Sequence, residues 1–166
     1  MNQKQTGPAE IDMDAWLADP TSARAINAFS IEFVLAYMRE VAALFGGDYE
    51  AALIFLAVLA HNGAVNIRQP WFSEHFADVR NALPAELARP VSRQAIAHTL
   101  GLKRETVRRK IARLIQGGLL EPVPGGVITP RGVIATPEFL DAQARVIGFL
   151  RRFRADLIAY AGAPDR

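Results

Sequence analysis

Apolar residues recur along most of this chain at the three-to-four-residue spacing of helices, and one short stretch alone breaks into strand-like runs. Ile31, Val34, Leu35, Met38, Val41, Ala42 and Phe45 fall on one helical face, with Ser30 as its N-cap and Gly46-Gly47 as its stop. Ahead of them, Ile11 to Ala28 reads as one or two short helical turns broken at Asp19-Pro20, behind a polar tail from Met1 to Glu10. Asp48 caps a second helix, Tyr49 to Asn62. Its Leu53, Phe55, Leu56, Val58 and Leu59 make it apolar nearly all round, which predicts a place in the middle of the core. Gly63 to Pro90 is punctuated by Pro70, Pro84 and Pro90, and the spacing predicts a short helix from Ser73 to about Leu83.

From Ser92 the pattern sharpens. Ser92 to Leu100 reads as a helix, Gly101 as its stop, and Lys103 to Gln116 as a second helix ended by Gly117-Gly118. Leu119 to Val123 and Val127 to Thr129 then read as two short strands joined by Pro124-Gly125-Gly126. Thr136-Pro137-Glu138 opens a final helix running to Tyr160. Phe139, Val146, Phe153 and Tyr160 repeat along it every seventh residue, with Ile147, Leu150 and Leu157 beside them and Arg151, Arg152 and Arg154 largely outside the stripe. That seam suits either a twofold mate or the chain's own Ile31 to Phe45 helix.

Composition narrows the classes. The chain has 166 residues, 51% of them hydrophobic, and no cysteine, so a disulfide framework and a thiolate metal site are both ruled out. His61, His75 and His98 are too far apart to suggest a metal motif, and no nucleophile motif, phosphate loop or catalytic carboxylate pair is visible. The expectation is a non-enzyme with no cofactor and no metal. The most apolar run, Ala51 to Ala60, is far below the roughly 20 residues of a membrane span. No secretory signal is read at the start, and a cytoplasmic, nucleoid-associated protein without a membrane partner is expected.

Charge changes the picture more than composition does. The net +2 conceals 5 basic and 11 acidic residues over Met1 to Ala88. Arg89 to Arg113, by contrast, carries Arg89, Arg93, Lys103, Arg104, Arg108, Arg109, Lys110 and Arg113 against a single acid, Glu105. Such clustering is the electrostatic footprint of a nucleic-acid contact. The two helices of this stretch have the parts of a DNA-reading pair: Ile96, Ala97 and Leu100 facing inward, Gly101 for the turn, Leu102 at the corner, and Val107, Ile111, Leu114 and Ile115 as the inner face of the second helix. Arg104, Glu105, Arg108, Arg109 and Arg113 are left outside. A major groove about 12 Å wide admits such a helix, arginine reads guanine bidentately, and the remaining cations meet phosphates.

The run S-R-Q-A-I-A-H-T-L-G-L-K-R-E-T-V-R-R-K-I-A-R-L-I-Q-G-G-L-L resembles the winged helix-turn-helix transcriptional regulators of bacteria over Ser92 to Thr129, under a quarter of the chain. R-E-T-V-R-R is similar to the recognition helix of the cyclic-AMP receptor family. That resemblance implies base reading by Arg104, Glu105 and Arg109, around Thr106, and phosphate contacts from Ser92, Arg93 and Gln94. The β-rich nucleotide-binding domain of that family has no counterpart here. The order of elements looks more like the multiple-antibiotic-resistance regulators (MarR-like), which place helices on both sides of the winged helix and dimerise through the terminal ones. Against that order stand the long Gly63 to Pro90 insertion and a short wing tip without a basic residue, which leaves Arg131 as the one nearby wing cation.

The fold expected is mainly α: a winged helix-turn-helix with a small β-hairpin wing, flanked by N-terminal helices and a long C-terminal helix. Its parts would be residues 1–28 as tail and short turns, 29–90 as a helical support and dimerisation region, 91–132 as the DNA-binding region, and 133–166 as the C-terminal helix. The function expected is a homodimeric, sequence-specific regulator of transcription on double-stranded DNA, with Lys103, Arg108 and Arg113 among its contacts. The rival is a winged helix serving as a protein-interaction or nucleoid-architectural module. Trp71, Phe72, His75 and Phe76 have two readings: the wall of a pocket for a small-molecule effector, or plain core and loop anchor, which is the commoner role of such a cluster.

Overall fold

The computed structural model describes residues 12–63, 69–76, 78–81 and 84–162. The polar tail and part of the Gly63 to Pro90 stretch, Leu83 included, lie outside the described residues. Seven helices and one hairpin follow in order among the residues described: α1 (Met13–Ala18), α2 (Ala23–Ala43), α3 (Tyr49–Gly63), α4 (Pro70–Phe76), α5 (Arg93–Leu100), α6 (Arg104–Gln116), β1 (Glu121–Val123), β2 (Gly126–Ile128) and α7 (Pro137–Ala161). The mainly helical winged architecture is the one expected. The chain divides into two compact units, one of Met1–Tyr37 with Arg145–Arg166 and one of Met38–Ala144.

In the first unit, Asp12 caps α1 by accepting from the Ala15 amide at 3.0 Å. Asp19 ends α1 and caps the 3-10 turn Pro20–Ser22, so the break at Asp19-Pro20 falls where expected. The long helix begins at Ala23, however, and Ser30 lies inside it rather than capping it. Nothing between Ser22 and Gly46 forces a stop, and Ala23, Ala25 and Ala28 favour continuing the helix. Aromatic rings then tie the C-terminal half of α7 to the start of the chain. Tyr160 meets Trp16 at 6.0 Å and Phe29 at 5.9 Å, and Phe153 meets Phe33 at 5.4 Å, within the range of favourable ring pairs. At Phe153, then, the heptad seam packs on α2 of the same chain. Ile31, Val34 and Leu35 on α2, and Ile147, Leu150 and Ile158 on α7, remain exposed.

In the second unit α3 is the central strut. Asp48 caps it as expected, its Oδ1 accepting from Ala51 N at 3.1 Å. Ile54, Phe55 and Val58 are buried among Ile96 and Ala97 of α5, Val107, Ile111 and Leu114 of α6, and Leu120 and Val127 of the hairpin region. Phe55 also stacks on Phe45 at 5.3 Å and on Phe139 at 5.4 Å. The short helix α4 starts at Pro70, not Ser73, and ends at Phe76. Proline suits the first helical position because its missing amide would find no partner there in any case.

The wing is an antiparallel pair with Glu121 opposite Ile128 and Val123 opposite Gly126, so Pro124 and Gly125 form the tip. Val91 adds a bridge on the far edge, exchanging hydrogen bonds of 3.1 and 3.0 Å with Val127. The backbones pass so closely that a Cβ on Gly126 would sit 2.1 Å from the Val91 carbonyl oxygen. Glycine is therefore required where the wing passes the segment that enters α5.

Candidate nucleic-acid interface

The helix pair is assembled by local chemistry at each end. Ser92 caps α5, its Oγ accepting from Ala95 N at 3.1 Å. At the other end Gly101 adopts φ 64°, and the Leu102 amide donates to Ala97 O at 3.0 Å, a Schellman closure. This folds Leu102 back against the core, the corner role its position predicted. Lys103 then takes the N-cap position of α6 without a side-chain capping bond. The expected helix thus starts one residue later, and its first-turn amides are left to solvent or to an anion.

On α6 the two faces separate cleanly. Val107, Ile111 and Leu114 are buried and Ile115 is half-buried, while Arg104, Glu105, Arg108, Arg109 and Arg113 are exposed and Thr106 is half-buried. Ser92, Arg93 and Gln94 lie exposed at the start of α5, and Arg131 is exposed in the turn after the wing. The wing tip is exposed and uncharged, as its sequence implies.

Two features of the face escape a count of charges. Glu105 and Arg108 form a bidentate pair along α6, with Arg108 donating from Nε at 2.8 Å and from a terminal nitrogen at 2.6 Å. The Arg108 hydrogen bond holds the Glu105 carboxyl below its ordinary range. Among the described residues neither Arg104 nor Arg109 forms an ion pair, although the Arg109 charge also helps to lower the Glu105 carboxyl. The second feature is Lys110. Counted above as part of the basic cluster, it is only 9% exposed and points inward. Its Nζ bonds Asp48 and lies 3.4 Å from Glu50 Oε2, both at the start of α3. The Lys110 charge is thus offset inside the unit by two carboxylates and is not presented on the outer face.

Asn62 is the residue sequence reasoning missed. It is 4% exposed at the end of α3. Its Nδ2 donates to Arg89 O at 2.6 Å and its Oδ1 accepts from Thr129 N at 2.8 Å. One side chain thereby joins the segment before α5 to the residue that follows β2. An asparagine at a helix end ordinarily reads as a terminator, and its partners are remote in sequence, so no local signal marks it.

Trp71, Phe72, His75 and Phe76 stack on one another along α4, with ring separations from 5.8 to 6.3 Å. The His75 Nδ1 is 2.9 Å from Trp71 O within the same helix. His61 and His98 are exposed on α3 and α5. Among the described residues, no helix is long and apolar enough to cross a membrane.

Compared with known families, residues 71–131 match the Crp-like helix-turn-helix domain. The match covers α4 from Trp71 onward, the α5–α6 pair and the wing, and ends at Arg131. It begins well before Ser92, so α4 falls within the matched domain, though sequence reading set that stretch apart as an insertion. No curated protein and no solved structure matches the chain. The region 71–131 is a helix-turn-helix DNA-binding domain.

Proposed function

We propose that the helix-turn-helix domain at residues 71–131 reads DNA sequence, and that the protein regulates transcription as a homodimer with α6 in the major groove of each half-site. The observation that carries this reading is the division of α6. One face is buried against α3 and α5 while Arg104, Glu105, Arg108, Arg109 and Arg113 all stand outside. Arg104 and Arg109, without ion pairs, are ready to meet base edges; Arg93, Lys103 and Arg113 flank them for phosphates. Their placement agrees with the resemblance of R-E-T-V-R-R to the recognition helix of the cyclic-AMP receptor family. Helices on both sides of the domain also agree with the MarR-like order.

The dimer is supported by the exposed apolar stripe of the first unit. Ile31, Val34 and Leu35 share one face of α2, and Ile147, Leu150 and Ile158 share one face of α7. A second copy is the occupant that DNA binding calls for. One short helix buries little surface, and a twofold pair doubles it on half-sites about 34–36 Å apart.

Arg104→Ala tests the reading of sequence. Binding of a selected duplex should weaken by about 1–3 kcal/mol, roughly 5- to 150-fold, with little change for random duplex. Equal losses on both would make Arg104 a phosphate contact and contradict its assignment.

A further inference from the structure

A lysine on the inner face of a recognition helix is costly, and its partners show what it does there. Lys110 shares that face with Val107, Ile111 and Leu114, which are apolar and pack on α3 and α5. Apolar burial is non-directional and tolerates a helix turned or slid by a small amount. A buried ammonium does not, because it must land on its acceptors. Those acceptors are themselves fixed. The Asp48 carboxylate bonds Lys110 through one oxygen while the other accepts from Ala51 N at 3.1 Å, so it is locked to the first turn of α3. Glu50 Oε2 stands 3.4 Å away on the same turn.

We infer that Lys110, clamped by Asp48 and Glu50, is a positioning residue that sets the rotation of α6 on α3 and so governs discrimination between DNA sequences rather than affinity for DNA as such. The inference rests on the sequence-reading role proposed above. Arg109 is the next residue back along the helix and Arg104 lies in its first turn, so turning α6 about its axis moves both together. Base contacts are bidentate and tolerate errors of about half an ångström, whereas phosphate contacts from long side chains absorb larger ones.

The test uses the full chain with Lys110→Met, an unbranched apolar replacement of similar length. Removing one partner of an ion pair is costly when the charge left behind is buried, but Asp48 and Glu50 are partly exposed and can take up water. Melting, binding to random duplex and the salt slope should therefore stay at wild-type values. The ratio of specific to random affinity should fall about tenfold or more, the scale of one lost bidentate base contact. Asp48→Asn, which retains a good N-cap, should lower the same ratio. An unchanged ratio in both variants, or a salt slope smaller by about one in Lys110→Met, overturns the inference. So does unfolding of both, which would make the pair a stability element. A wild-type chain that binds all duplexes alike overturns the sequence-reading role itself, and is seen before any variant is made.

Discussion

Raising salt from about 50 to about 200 mM should lower the affinity for duplex DNA about a thousandfold. The expectation follows from where the cations lie. Lys110 is inside the unit and Arg108 is paired with Glu105, which leaves Arg93, Lys103 and Arg113 as the exposed cations of the α5–α6 pair outside the proposed base readers Arg104 and Arg109; Arg89, also exposed, precedes that pair. Three phosphates per copy from the helix pair, in the dimer proposed above, give about six, hence a slope of log affinity on log salt near −5. Had all the basic residues of Arg89 to Arg113 been taken at face value, the slope would be far steeper. A curve flat over this range would contradict phosphate binding by this face. Equilibrium titration of a labelled duplex at four or five salt concentrations decides it.

The second large effect concerns Asn62. Asn62→Leu should destabilise the chain by about 3 kcal/mol, since the Arg89 carbonyl and the Thr129 amide each lose a partner in a part-buried setting at about 1–3 kcal/mol apiece. The melting midpoint should fall by roughly 6–12 °C. DNA binding measured well below that midpoint should weaken too, because the same side chain ties the segment before α5 to the end of the wing. A midpoint within about 2 °C of wild type would mean that neither hydrogen bond matters.

The contrast between these residues explains what could be read from the sequence. The caps at Asp48 and Ser92, the left-handed Gly101 and the inner face Val107, Ile111, Leu114 are all local. Each is set by residues within a turn or two, and each stands where spacing predicted. Ser30 misled because a serine before an apolar stripe resembles a cap, while the alanine-rich residues ahead of it simply continue the helix. The seam of α7 was legible as a stripe but not as a contact, since the period that suits a twofold mate also suits Phe33 and Tyr160's neighbours in the same chain. Lys110 and Asn62 were illegible for one reason. Their partners lie 62 and 67 residues away, at Asp48 and Thr129, and sign or residue type alone does not tell an inward charge or amide from an outward one.

The consequence for the interface is a smaller and more directed charge than the sequence suggests. Arg104 and Arg109 are unpaired among the described residues, and the wing tip offers no cation. On the reading proposed above, specificity comes from a few side chains of α6, a helix held from behind by α3.

Selection of bound duplexes from a random-sequence library by the wild-type chain tests that claim most directly. The account predicts enrichment of an inverted repeat with half-sites about 10–10.5 base pairs apart, centre to centre, and guanine at positions within each half. Recovery of sequences no different from the input library would contradict it.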